Sequence, residues 1–282
     1  MELAAGNTQR KPTVVISPLK GLFQLDLRNV WHHREMFYFL VWRDVILRFK
    51  QTVIGGAWVI LQPVITMVIF TMIFGNLAKI PSDGVPYPIF AFSALLPWSY
   101  FAAALARSSS SVVNNSNLVT KIYFPRLLIP LAASVGPLVD LIFSFLFLLV
   151  LMAWFKIAPT WGLLALPFFL ALAVMTALAV GLWSSALNVR YRDVGTIIPF
   201  IIQVWMYASP VAYPVSLVPE KWRLLYSLNP MVGVIEGFRW ALLGRGSLDL
   251  VMMAVSSAVV SILLLGGIVY FKRMEQTFAD VI

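Results

Sequence analysis

Apolar positions run along this chain in long, nearly unbroken blocks, and polar positions gather in short segments between them. Residues 53–75, 87–106, 127–155, 162–189, 194–211 and 250–271 form six blocks, each near or above the ~20 residues a helix needs to cross hydrocarbon. Asp140 is the one charged residue inside them. A chain that places so much backbone in lipid must satisfy its N–H and C=O groups within each segment, which points to helices. The pattern therefore predicts an all-α integral membrane protein with a six-span transmembrane domain over 53–271.

The pattern changes at both ends of that domain and in two connections. Residues 1–25, with Gly6, Asn7, Pro12 and Pro18, read as a mobile cytoplasmic tail. Over 26–52, Tyr38, Val41, Trp42, Val45, Ile46, Phe49 and Val53 share one side of a helical wheel. Arg43, Asp44, Lys50 and Gln51 fall on the other, with Leu40 and Leu47 as exceptions. This predicts an amphipathic helix lying in the membrane interface, either as an anchor or as a docking surface for a cytoplasmic partner. The second span is short and broken by Pro97; it ends at Arg107, before a serine- and asparagine-rich stretch too polar for lipid. Residues 107–126 are thus a cytoplasmic segment. Residues 212–247 are too long for a turn and too apolar for a solvated loop, and Pro210, Pro214, Pro219 and Pro230 punctuate this region. Two short helices dipping back into the outer leaflet fit it. Glu236 and Arg239 could pair there on one helix face. A cytoplasmic tail over 272–282 closes the chain.

Charge fixes the expected orientation. With both termini inside, 15 of the 21 Lys and Arg residues fall on the cytoplasmic side and six outside, as the positive-inside rule requires. The net charge of +9 is then a topology signal, and nucleic acid is not an expected partner; membrane lipids are. No cysteine is present, so thiol and disulfide chemistry is excluded. Val14-Val15-Ile16 is too short for the core of a signal peptide.

Within the spans, Gly55, Gln62 and Thr66 recur on one helical face. An amide in lipid is costly, so that face should meet protein or water, as a helix contact or as a pore lining. Asp140 lies about 21 Å along the third span at the ~1.5 Å rise per residue of a helix; a single carboxylate is a thin basis for a proton relay, and a structural hydrogen-bonding role is expected of it. Trp154 and Trp161 flank the next turn like an interfacial aromatic belt. The chain has no Gly-Lys dipeptide and hence no P-loop. His32 and His33 stand apart from any acid cluster, and no nucleophile–base constellation stands out. Neither a catalytic residue nor a metal or cofactor site is expected. Energy for uphill transport would have to come from a partner or an ion gradient.

Four stretches together resemble a known family. They are Asn117-Leu-Val-Thr-Lys-Ile-Tyr-Phe-Pro-Arg-Leu-Leu-Ile-Pro130; Trp42-Arg-Asp-Val-Ile-Leu-Arg-Phe-Lys-Gln51 running into Gly56-Ala-Trp58 and Gln62-Pro63; Asn188-Val-Arg-Tyr-Arg-Asp193; and Ser209-Pro-Val211 followed by Asn229-Pro230. The chain is similar, over residues 30 to 272, to membrane permeases of type-2 ABC exporters for polysaccharides and polyol phosphates. These include the Wzm-type O-antigen permeases and the capsule and teichoic acid permeases. The resemblance implies a homodimer in the bacterial cytoplasmic membrane that binds two copies of a separate ATPase, which carries the ATP and Mg²⁺. Its substrate would be a lipid-linked glycan, with O-antigen ahead of capsular polysaccharide and teichoic acid. It also implies ATPase coupling through Arg43, Asp44, Arg48, Asn117, Lys121, Tyr123, Phe124, Pro125 and Arg126. The transport path would use Gly55, Trp58, Gln62, Thr66, Trp205 and Tyr207, and the outer gate Tyr213, Trp222, Tyr226 and Trp240. An ion-coupled secondary transporter would need intramembrane ionisable residues and usually an internal repeat. A membrane-embedded glycosyl- or acyltransferase would need convergent acids or histidines. Neither pattern is visible.

Overall fold

The structure is a computed structural model that describes residues 31–50, 55–244 and 249–278. The expected tail over 1–25, the side chain of Arg48, the surroundings of Gly55 and the end of the chain beyond Phe278 lie outside the described residues. The chain is an all-α integral membrane protein. Among the described residues, five helices are long and apolar enough to span a bilayer.

Helix α1, Arg34–Phe49, leads to α2, Gly55–Phe70, whose last turns widen into a π-helical stretch, Thr71–Leu77. Helix α3 is Tyr87–Asn114 and α4 is the short Ser116–Lys121. Helices α5, Leu128–Trp154, and α6, Leu166–Arg190, form a hairpin. Then come α7, Asp193–Tyr207; α8, Glu220–Tyr226; α9, Pro230–Leu243; and α10, Leu250–Glu275.

Helix α3 is the hub. It packs along α5 and α6, and α2, α7 and α9 also lean on it. Of its most apolar window 78% is buried, against 17% for the α2 span, so α2 is a peripheral helix with one side uncovered. Small residues allow the close approach that membrane helices use in place of a hydrophobic driving force. A Cβ on Gly181 of α6 would lie 2.5 Å from the Ser108 hydroxyl of α3. Two cores result. The larger lies among α3, α5, α6 and α9. A second gathers Leu40, Val112, Phe124, Leu128, Phe271 and Phe278 at the opposite end of the bundle.

Two expectations are corrected. Helix α3 is not broken at Pro97 and does not stop at Arg107; it is continuous to Asn114. The serines that looked too polar for it bond back to their own turn, Ser110 Oγ to Ala106 O and Ser111 Oγ to Ser108 O. The fifth block forms the 15-residue α7, an apolar helix shorter than the five long ones. On α1, Leu40 is no exception to a buried face but its centre, 2% exposed, with Phe37 and Val41 packed beside it. Tyr38 and Trp42 stack on each other, rings 6.3 Å apart, and face outward.

Candidate functional site

One end of the bundle is where α1, α4 and the ends of α3, α5 and α10 meet. Arg43 binds Asp44 at 2.9 Å and reaches across to Asn115 Oδ1 at 2.9 Å, which ties α1 to the end of α3. Arg126 does the same for α10: its backbone N–H donates to Glu275 Oε1 at 2.9 Å, and its guanidinium donates to the Glu275 carbonyl. Asn188 bridges a third junction, donating to Ser109 O at 3.1 Å and accepting from Gly195 N at 2.9 Å. So the Asn188–Asp193 stretch clamps α6 to α3 and α7.

On this frame, Asn117 and Lys121 lie one turn apart on the exposed side of α4. Tyr123 follows them, 77% exposed, whereas Phe124 is 5% exposed inside the second core. Pro125 is half-buried. The structure therefore separates the two aromatic residues expected to act together. Tyr123 stands free for a partner, and Phe124 holds the segment to the bundle.

On α2, Gln62 is exposed and Thr66 half-buried, with Thr66 Oγ1 donating to the Gln62 carbonyl at 3.0 Å. Trp58 is exposed on the same side. Helix α7 carries a comparable stripe that the sequence reading missed. Thr196, Phe200, Gln203 and Tyr207 recur at four, three and four residues on one face, and all are exposed. The signal was present in the same spacing that singled out Gln62. Trp205 lies on the opposite side of α7. It packs edge-to-face on Phe101 of α3, centroids 5.1 Å apart, and donates its Nε1–H to Asn229 Oδ1 at 2.9 Å. Trp205 and Tyr207, grouped as path residues, thus part company.

At the opposite end, Asn229 caps α9 by accepting from Met231 N at 3.1 Å. It also donates to Ala208 O at 3.1 Å and to Ser209 Oγ at 3.0 Å. The two short motifs Ser209-Pro-Val and Asn229-Pro therefore form one joint. Arg239, 4% exposed, is the second joint. It pairs with Glu236 at 2.9 Å, donates to Val211 O at 2.9 Å and Tyr213 O at 3.3 Å, and lies 3.7 Å over the Phe90 ring. Tyr213 donates to Tyr207 O at 3.1 Å, which leaves the Tyr226 hydroxyl to donate to Tyr213 at 2.9 Å. Burial, then the bond to Tyr213, raises the Tyr226 pKa above its ordinary value. Trp222 is exposed beside Tyr226, but Trp240 packs on Phe169 of α6, away from the others.

This is the architecture of a membrane permease, and residues 35–243 match the ABC-2 type transporter family. The chain belongs to that family, whose members are transport components of the membrane rather than enzymes, and the family implies an ATPase partner for it. It is 26% identical over 259 residues to the O-antigen export system permease protein RfbA of Myxococcus xanthus, covering 91% of this chain and 98% of that one. It is 22% identical over 246 residues to the polysialic acid transport protein KpsM of Escherichia coli, covering 83% and 91%. It is 29% identical over 230 residues to the inner membrane transport permease YadH of Escherichia coli strain K12, covering 75% and 84%.

Proposed function

We propose that this chain is the transmembrane permease of an ATP-driven exporter that moves a lipid-linked polysaccharide, O-antigen first among the candidates, across the bacterial cytoplasmic membrane. The likeness to an O-antigen export permease along 98% of that protein's length carries this reading. In it the chain works as a homodimer with six crossings, both termini inside, bound to two cytoplasmic ATPase subunits that hold the ATP and Mg²⁺. Asn117, Lys121 and Tyr123 meet the ATPase, and the junctions at Arg43 and Arg126 pass its motion to α1 and α10. The glycan passes along the Trp58, Gln62 and Thr66 side of α2 and the Gln203 and Tyr207 side of α7. Tyr213, Trp222 and Tyr226 close the outer end.

A hydrated sugar chain needs polar groups to replace lost water and flat apolar rings to slide on, and each site must hold it weakly enough to release it. Exposed amides spaced among Trp58, Phe200 and Tyr207 supply that mixture. Deletion of the gene followed by analysis of surface glycans is the test: loss of a long polysaccharide with lipid-linked precursor accumulating inside is expected. The identity of 29% to YadH, whose name mentions no glycan, supports a second reading as an exporter of another substrate. Intact surface glycans in the deletion strain would favour it.

A further inference from the structure

A groove of about 500 Å³ opens at the outer end of the bundle, among α7, α8 and α10. Trp205, Trp222, Leu225, Tyr226, Leu228 and Leu263 form most of its wall. Its size falls within the ~300–1,000 Å³ of small-molecule sites. Its chemistry is unusual for a sugar site, because the polar atoms in the wall are already committed. An amide oxygen accepts two hydrogen bonds and an amide nitrogen donates two. Asn229, which also lines the groove, makes all four, to Trp205, Met231, Ala208 and Ser209. The Trp205 N–H is spent on Asn229, and the Tyr226 hydroxyl on Tyr213. A polyhydroxylated ligand entering here would lose water contacts and gain few in return. A hydrocarbon chain would lose none.

The rim adds charge. Lys221 is exposed, with Nζ 5.9 Å from the centre of the Trp222 ring. Arg223 is anchored by Nε to the carbonyl of Val218, another wall residue, at 3.1 Å. Glu220 is the single acid on this short helix, so α8 carries one net positive charge beside an apolar groove. Positive rim and apolar wall together complement an anionic head on a hydrocarbon tail.

We infer that this groove holds the phosphate-linked hydrocarbon chain of the transported lipid, with Lys221 and Arg223 at the phosphate, while the glycan runs along the separate polar stripes. The inference rests on the polysaccharide-exporter reading above. It divides the aromatic residues of the outer region: Trp222 and Tyr226 receive the lipid, and Tyr207 faces the sugar.

The test uses the purified permease–ATPase complex and a long-chain polyisoprenyl phosphate carrying a diazirine in its tail. Irradiation should label peptides containing Leu225, Leu228 or Leu263, and excess unlabelled polyisoprenyl phosphate should remove the label. The same tail ending in an alcohol should label at least about tenfold less, since it forfeits the charge-assisted contacts. Joint replacement Lys221→Gln and Arg223→Gln should lower the phosphate probe to the alcohol's level. Leu228→Trp should abolish labelling by filling the groove, and Leu228→Ala should retain it, which guards against a folding defect. Equal, uncompeted labelling by a diazirine phosphatidylglycerol would make the occupant bulk lipid and overturn the proposal. So would cross-linking between cysteines placed at 225 and 228 of two copies, which would put a second copy in the groove. If gene deletion removes surface glycan but the groove stays unlabelled, the groove assignment fails alone. If labelling succeeds and surface glycans survive deletion, the exporter reading is what fails.

Discussion

Asn229 shows how one side chain can organise a region that lacks long helices. Its amide joins the end of α7 to the start of α9 through four hydrogen bonds. Asn229→Ala removes the acceptor from Trp205 Nε1 and Met231 N, and a buried group left without a partner costs ~1–3 kcal/mol. We expect a loss of about 2 kcal/mol, read as a lowered midpoint in thermal unfolding of the purified permease. Asn229→Asp keeps both acceptor bonds but sets a carboxylate oxygen against the Ala208 carbonyl, so it should not restore the wild-type midpoint. An alanine variant that melts with the wild type would show that the joint bears no strain in the resting molecule. Sequence alone brought Ser209-Pro-Val and Asn229-Pro into view only as weak, separate motifs, because a side chain's partner 20 residues away leaves no periodic trace. Arg239 was visible as half of a pair with Glu236, but its three other contacts, to Val211, Tyr213 and Phe90, come from chain reversal.

At the scale of elements, length and hydropathy carried most of the information, and they failed where packing replaces lipid. The blocks at 53–75, 87–106, 127–155, 162–189 and 250–271 each correspond to one of the five long apolar helices. Helix α3 runs on past Arg107 because serine hydroxyls can be satisfied within a helix, so a polar composition did not mark its end. Helix α1 was legible as amphipathic, but a helical wheel says which residues share a face and not which face is covered; Leu40 went to the bundle and Trp42 to the surface. The segment after α4 has the same ambiguity, since composition does not say which of two adjacent aromatics turns inward; Tyr123 is exposed and Phe124 buried. Phe124→Ala should therefore cost ~3–5 kcal/mol, the usual range for deleting a buried phenyl ring, and lower the unfolding temperature of the permease alone. Tyr123→Ala should leave that temperature unchanged and weaken co-purification with the ATPase subunit. Normal ATPase retention by the Tyr123 variant would move the contact off this segment.

For the whole molecule, the question is which uncovered surfaces meet lipid and which meet water. Exposure alone does not decide it: Leu146 and Val150 on α5 are as exposed as Trp58 and Tyr207, and apolar side chains at a lipid boundary are in their proper solvent. Polar residues do discriminate, because an amide facing hydrocarbon finds no partner. Gln62 and Gln203 are exposed on two different helices that both lean on α3. In the homodimer proposed above, their faces are therefore the ones expected to line a shared aqueous path. The chain contains no cysteine, so single thiols can be placed without background. Cysteines at 62 and 203 should react with a membrane-impermeant, water-soluble thiol reagent in at least one nucleotide state of the complete complex, and a cysteine at 146 should stay unreactive in all of them. Gln62→Trp and Gln203→Trp should each block export while leaving assembly with the ATPase intact, since a bulky ring obstructs the path without touching the junctions at Arg43, Asn188 or Arg126. Labelling at 146 with silence at 62 and 203 would put the water on the other side of the bundle and the path with it.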